Sequence, residues 1–552
     1  MSSNRVRALA FLLALGSAAS AMAADSGSKI FHEYDPKISA PDISTDVQLL
    51  ASNAFAGRAP GTVGEQRTVA FLTALLQQSG LQPGNGDSWL QTVPVISESL
   101  DAAHSRMEIV TPHGTTALKS GEVVYSNTTG AANFGMKESP LVFAGYGISA
   151  PEQGRDDYAG LDVRGKTVLV LIGLPRDFNA DGVSYYSRST YKFEEAARHG
   201  AAAVLIVHDQ RASGMDWEYV KSRYGSSQFY LRHEDDPDPY PPVIGWIETG
   251  AAKSLFNAAG ASLHDLKDAA DRSGFRALAL NGATLNATLA SDVASGETHN
   301  VIAKLPGTKY PDEAVVYSAH WDHFGTRAGM RGDAVFHGAL DNGIGVAAVL
   351  EIATQFAAEN PKPERTVLFL FPTLEEQGLL GSKYYTLHPV IPDANTVLDI
   401  NFDVMVPTGL SRNFVVIGLH KTDLERWLKP LVAKQGRELQ GETKTDPDSF
   451  FRSDHLSFAR AGVPTMYVRG GTESSDPSED AGAAWDAFGK RYHTPADTFD
   501  ANWNLRGIVQ DLQVACEVGE TLADDHDWPQ WNANTPFKAI REKSWAGRDP
   551  QH

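Results

Sequence analysis

The chain has 552 residues, material for about three or four domains at roughly 150 residues each. It is 42% hydrophobic and 21% charged, with 49 Gly and 29 Pro, which excludes collagen, coiled coil and disorder as its main character. A formal charge of −20 repels a nucleic-acid backbone, and the single cysteine, Cys516, excludes an internal disulfide framework and a cysteine-built zinc site.

At the start, Arg5 and Arg7 precede an apolar run from Ala8 to Gly16, and Ala21-Met22-Ala23 fits a small-x-small cleavage site. Residues 1–23 are therefore expected to be a signal peptide, and the mature protein to be exported, periplasmic or secreted. The run is shorter than the ~20 residues a spanning helix needs, and no later stretch qualifies, so no stable membrane insertion is expected. Glu65 to Ser79 carries Val69, Leu72, Leu75 and Leu76 at helical spacing and stops at Gly80.

From Leu141 the texture is that of a compact β-rich module. Leu141 to Gly147, Thr167 to Ile172 and Ala201 to Val207 read as strands, and Phe193 to His199 as a helix ended by Gly200. Arg211 to Pro242, rich in Tyr, Asp, Ser and Pro, reads as loop, and His199 and His208 are isolated. From His299 onward strands and helices alternate. Strands are expected at Ala314 to Ser318, Thr366 to Phe371, Val397 to Phe402 and Pro464 to Val468. Helices are expected at Gly345 to Ala358, Leu379 to Leu387, Asp423 to Gln435 and Leu505 to Ala523. Such alternation argues an α/β sheet with helices on both faces. The tail after Trp528 reads as a wrap around this unit.

Ligands in open α/β sheets bind beyond the carboxyl ends of strands. The polar residues there are His320 and Asp322 after the first strand, Asp341 opening a helix, Glu375-Glu376, Asp403, and His493 before the last long helix. Any one of them alone is weak: Asp341 could cap its helix, and Glu375-Glu376 could be a solvated edge. The signal is five ligand-type residues arriving in order at successive edges of one sheet. Zinc takes His nitrogen and carboxylate oxygen, and two ions ~3.5–4 Å apart need a ligand that reaches both. A carboxylate can bridge with its two oxygens, so Asp341 is the expected bridge. His320 and Asp403 would complete one ion, Glu376 and His493 the other. Glu375 is left to face the metal-activated water as general base, and Asp322 to accept the second N–H of His320. His323, His337 and His455 are nearby rivals left as neighbours.

The segments Ser318 to Asp322, Gly338 to Gly345, Leu374 to Gly378, Asn401-Phe402-Asp403 and Tyr492 to Thr498 together resemble the M28 family of zinc metallopeptidases, mostly aminopeptidases. Ala56 to Gly61 and His299 to Gly307 look like the family's framing segments. The turn Asp157 to Lys166 and the strand at Gly200 to Ala203 are similar to a protease-associated (PA) domain, often inserted in this family. The resemblance implies a mixed, mostly parallel sheet flanked by helices, of zinc-exopeptidase type. It divides the chain into 24–130 as the first part of the peptidase domain, 131–285 as the PA-like insert and 286–552 as the metal-bearing part. It implies the same ligand set for two zinc ions (His320, Asp341, Glu376, Asp403, His493), Glu375 as base, and Tyr492 as an oxyanion donor. The chain departs from some secreted members in having no cysteine pair near the site.

The expected function is that of an exported dinuclear zinc exopeptidase acting on peptides, most simply an aminopeptidase. The alternatives are a glutamate-carboxypeptidase-like peptidase or dipeptidase, a glutaminyl cyclase with one zinc, and a non-catalytic binding protein on the same fold. The loops Arg211 to Pro242 and Gly441 to Arg452 are candidates to shape a specificity pocket. The sequence names no protein partner.

Overall fold

The computed structural model describes residues 34–546 except 177, 179–183, 238–239, 328, 331, 443–448 and 534. The expected signal peptide lies outside the described residues. At the centre of the C-terminal half, the strand Tyr310–Ser318 lies between Arg365–Phe371 and Thr396–Phe402, with Thr465–Val468 beyond the latter, all parallel. Leu278–Leu305 pairs antiparallel with Arg365–Phe371, and Asn413–Ile417 antiparallel with Thr465–Val468. The sheet is thus mixed, with a parallel centre. The chain leaves Tyr310–Ser318 for a neighbour on one side and then crosses to a neighbour on the other. That reversal opens a crevice at the carboxyl ends of these strands.

The residue pattern explains why these strands are central. Alternate side chains of a strand point to opposite faces. Val315 and Tyr317 join one core with Val367, Phe369 and Phe371, while Ala314 and Val316 join a second with Leu368 and Leu370. Both faces are buried, so the strands read as continuous apolar runs. Helices Ala40–Leu50, Val63–Gln78, Ile344–Ala358 and Arg506–Asp524 supply the first core; Tyr385 of Leu380–Leu387 and Phe458 of His455–Arg460 supply the second.

The insert has its own parallel strands, Thr167–Leu171, Ala203–Val207 and Val243–Ile247, and the last pairs antiparallel with Val123–Asn127. Leu278–Leu305 ties the two units together. Its early residues pair with Asn133–Phe143 and Arg106–Thr111, and its final residues with Arg365–Phe371. The β-rich module is therefore joined to the C-terminal sheet by a continuous 28-residue strand, which no local composition signal marked.

The segment Arg211 to Pro242 differs from its reading as loop. It contains the helix Trp217–Tyr224 and the strand Gln228–Leu231. The Asp216 side chain caps the helix by accepting from Tyr219 N at 2.7 Å, and the strand pairs with Leu90–Leu100. Both elements are too short to show a period, and they are held by partners more than a hundred residues away. The tail does wrap: Trp531 and Phe537 are buried, and Trp531 Nε1 donates to Gly462 O at 2.9 Å. Among the described residues no helix is long and apolar enough to cross a membrane.

Candidate metal centre

His320 follows Tyr310–Ser318, Glu375 and Glu376 follow Arg365–Phe371, and Asp403 follows Thr396–Phe402, so three strand ends deliver side chains to one crevice. Side-chain hydrogen bonds among neighbouring strand ends and the loops beside them fix those ends. Ser318 Oγ lies 2.7 Å from Asp399 Oδ1 and 3.0 Å from Asn401 Oδ1, Asn401 Nδ2 donates to Ser453 Oγ at 2.8 Å, and the Tyr467 hydroxyl donates to Asp403 O at 2.8 Å. Leu374 adopts a φ of 54°, an uncommon region for a residue with a Cβ. It turns the chain directly before Glu375.

Asp341 sits in an irregular turn, 339–343, ahead of helix Ile344–Ala358. It does not cap the helix. Asn342 does that, its Oδ1 accepting from Gly345 N at 3.1 Å, which frees the Asp341 carboxylate for the crevice. Buried Asp497 holds the turn from behind, accepting from Leu340 N and, at 3.0 Å, from Asp341 N.

The two oxygens of Asp341 face two different histidines. Oδ1 is 3.5 Å from His320 Nε2 and Oδ2 is 3.0 Å from His493 Nε2. His320 Nε2 is also 3.4 Å from Asp403 Oδ1, and His493 Nε2 is 3.3 Å from Glu376 Oε2. Ligand bonds of 2.0–2.2 Å in a tetrahedron put neighbouring donor atoms about 3.3 Å apart. Three of the four separations match that edge, and the fourth, His493 to Asp341 at 3.0 Å, is a few tenths of an ångström shorter. Asp341 Oδ2, although buried, accepts no well-directed hydrogen bond among the described residues, which suits an oxygen aimed at a cation. The residues present therefore fit a pair of metal ions with oxygen and nitrogen donors.

Electrostatics point the same way. Burial opposes ionisation of Asp341, yet His320 and His493 hold its pKa well below the usual carboxylate range. Burial raises Glu376 to about 8 and pushes Glu375 well above the ordinary value, with Asp403 and Glu376 adding to the latter shift and His320 opposing it. Burial also raises Asp454 to about 7, opposed by His320. A buried set of carboxylates this dense is stabilised by cations that let them ionise together.

Glu375 Oε2 lies 3.9 Å from His320 Nε2, outside the ligand spacing but beside it. Asp322 Oδ1 is 3.6 Å from His320 Nδ1, too far for a hydrogen bond. The nearer acceptor is the Asp322 backbone carbonyl at 3.2 Å, while the Asp322 carboxylate accepts from Glu375 N at 3.1 Å. Asp322 thus orients Glu375 as well as His320. The Tyr492 ring stacks on His493 with centroids 3.7 Å apart, and its outer face is exposed.

Of the rivals, His323 comes closest. Together with Asp341 and Glu376 it forms a second possible ligand group, and its Nδ1 lies 2.6 Å from Glu376 Oε1. That is hydrogen-bond length, shorter than the ligand edge, and it engages the Glu376 oxygen that does not face His493. His323 therefore orients Glu376. His337 contacts Ala51 O and Asp333, and His455 contacts Phe450 O, so both are structural.

Residues without an expected role also build the site. Fully buried Arg58 donates to Trp321 O at 2.9 Å, Leu50 O at 2.9 Å, His337 O at 2.7 Å and Gly338 O at 2.8 Å. It joins the N-terminal segment to the loops carrying His320 and Asp341. Gly57 before it leaves no room for a side chain, since an added Cβ would lie 2.4 Å from Gly325 O. Arg58→Met leaves four buried carbonyls without their donor and is expected to lower unfolding free energy by about 3 kcal/mol or more, read from denaturant melts. From the insert, Arg223 Nη2 donates to Glu376 O at 2.7 Å, and the Tyr219 hydroxyl is 3.5 Å from His493 Nδ1. An arginine and a tyrosine in a polar loop carry no such signal of their own; Arg211 to Pro242 is singled out by the sequence only as a candidate to shape a specificity pocket, and Arg58 lies in the motif segment Ala56 to Gly61.

Residues 300–516 match Peptidase family M28, and residues 119–252 match the PA domain. Leupeptin-inactivating enzyme 1 of Streptomyces exfoliatus is 30% identical over 225 residues, 40% of this chain and 48% of that protein. The match thus spans about half the length of the Streptomyces protein. "Probable lipoprotein aminopeptidase LpqL" of Mycobacterium tuberculosis is 27% identical over 481 residues, 83% of this chain and 81% of that protein. Among solved structures, the aminopeptidase from Aneurinibacillus sp. strain AM-1 aligns with a TM-score of 0.48 at 20% identity, covering 89% of this chain and 97% of that one. The family match begins at Asn300 and ends at Cys516, so it holds every residue of the crevice that faces Asp341; this part of the chain is similar to peptidase family M28, and the PA-domain match lies ahead of it.

Proposed function

We propose that this protein is a dinuclear zinc exopeptidase of aminopeptidase type, exported by its N-terminal signal. The observation that carries the reading is the position of Asp341, whose two oxygens face His320 and His493 separately. The mycobacterial relative's designation as an aminopeptidase supports the choice of reaction. His320, Asp341 and Asp403 would hold one ion, and Asp341, Glu376 and His493 the other.

Bound zinc would supply Lewis acidity for the scissile carbonyl and acidify the attacking water. The chain's own residues do the rest. Glu375, at the edge of the ligand set with its backbone pinned by Asp322, takes the proton of the water and returns it to the leaving amine. Tyr492, whose ring stacks on His493, keeps its hydroxyl protonated at neutral pH as phenols do. A protonated phenol donates a hydrogen bond to the carbonyl oxygen as charge builds there. Tyr492→Phe is expected to lower kcat about a hundredfold with a smaller change in KM; equal kcat would remove Tyr492 from this role.

The reading is tested by hydrolysis of paired peptides with free and acetylated N-termini. Cleavage of the free member alone, abolished by chelation and restored by zinc, is the expected result. Equal cleavage of blocked peptides from their C-terminal end would instead establish the carboxypeptidase alternative.

A further inference from the structure

The helix Trp217–Tyr224 belongs to the insert and is fixed from within it. Val220 is buried in a core shared with Trp246, the Tyr224 ring lies against Trp246 with centroids 5.4 Å apart, and Trp217 Nε1 donates to Gly121 O at 2.7 Å. Tyr219 and Arg223 stand four residues apart, one turn along the same face of this helix. That face meets the metal-bearing half. Arg223 Nη2 donates to Glu376 O at 2.7 Å and Nη1 to Gln377 Oε1 at 3.4 Å, while the Tyr219 hydroxyl is 3.5 Å from His493 Nδ1.

The two residues so contacted share one ion position. His493 Nε2 and Glu376 Oε2 are 3.3 Å apart, and Asp341 Oδ2 faces the same histidine. With Nε2 aimed at an ion, the proton of His493 sits on Nδ1 and is donated to the Tyr219 hydroxyl, a contact at the outer limit of hydrogen bonding. Arg223 is the stronger brace. Glu376 lies in a tight turn in which Leu374 and Leu379 both have positive φ, 54° and 62°. Leu374 O accepts from Gln377 N and Leu380 N, and Glu375 O from Gly378 N and Leu379 N, whereas the Glu376 carbonyl accepts from the insert. The other position is braced from the C-terminal half: His320 Nδ1 is 3.2 Å from Asp322 O, and Asp403 O accepts from the Tyr467 hydroxyl at 2.8 Å.

We propose that the insert sets the affinity of one metal position alone: Arg223 and Tyr219 are positioning residues for Glu376 and His493, and the ion held by His320 and Asp403 does not depend on them. This rests on the two-metal reading. Removing the outer partner of a metal ligand lowers metal affinity about 10- to 100-fold, because the ion must then order the ligand itself. The two contacts sit one helical turn apart on a helix anchored in the insert core, so both are made or lost together. A peptidase half without its insert would keep one ligand set braced and leave the other slack.

The test is zinc binding by the full chain in the absence of substrate. Metal-free protein is titrated with zinc against a chelating indicator, and melting curves check that each variant is folded. The unaltered chain should give two dissociation constants. R223M should raise one of them about tenfold or more, and Y219F should raise the same one by less, as its longer contact implies. The other constant should not move, and R223K, which keeps a donor, should recover part of the lost affinity. In His493→Ala, which leaves the His320 position to bind alone, adding R223M should not shift the remaining constant. Unchanged constants in folded R223M, an equal rise in both, or a shift of the constant that remains in His493→Ala would overturn the role of the insert while leaving the two-metal reading intact. An unaltered chain that binds no zinc, or one ion only, would overturn both.

Discussion

Glu375→Gln is expected to lower kcat by about 10³- to 10⁴-fold, the upper range for loss of a positioned general base, while zinc content stays at the level of the unaltered protein. The amide keeps the volume and most contacts of the carboxylate but cannot accept and return a proton. The backbone of residue 375 is held independently of its side chain, through the hydrogen bond from its N–H to Asp322 Oδ1, so the substitution should not move the loop. Glu375 Oε2, at 3.9 Å, also lies farther from His320 Nε2 than the oxygens of Asp341 and Asp403 that face it, at 3.5 and 3.4 Å, which is why metal retention is expected. Elemental analysis beside steady-state kinetics separates the two effects. A variant with substantial turnover would transfer the base role elsewhere, and one that lost zinc would make Glu375 a ligand.

Asp341→Ala is expected to strip both ions, whereas His493→Ala should strip one. The difference follows from geometry: Asp341 alone presents an oxygen to each histidine, at 3.5 and 3.0 Å, while His493 faces only one half of the set. Losing the bridge also leaves His320 and His493 facing carboxylates across an unfilled space. Zinc per chain after dialysis, measured for both variants, gives the result directly. Retention of both ions by Asp341→Ala would refute the bridging arrangement, and equal loss from both variants would show that the two positions fill only together.

Much of the centre was legible from local pattern. The strands ending at Ser318, Phe371 and Phe402 are buried on both faces, and that burial writes itself as consecutive apolar residues. The polar residues just past them are then conspicuous. The helices at Ile344–Ala358 and Arg506–Asp524 fell close to expectation for the same reason. The helix Trp217–Tyr224 did not: with eight residues and one buried side chain it has no stripe to read, and its bringing of Tyr219 and Arg223 to the crevice is expressed only through contacts with His493 and Glu376.

The amino-acid order sufficed to say which residue types meet at the sheet edge, because strand burial and the chemistry of histidine and carboxylate are properties of short segments. The folded chain was needed to show that His323 and His493 meet different oxygens of Glu376, that the two oxygens of Asp341 face different histidines, and that Asp322 holds Glu375 as well as His320. It was needed also for Arg58, whose acceptors include carbonyls 263 and more residues away. These outcomes depend on distances between parts of the chain that no local pattern relates, and at a metal centre a difference of half an ångström separates a ligand from a hydrogen-bond partner.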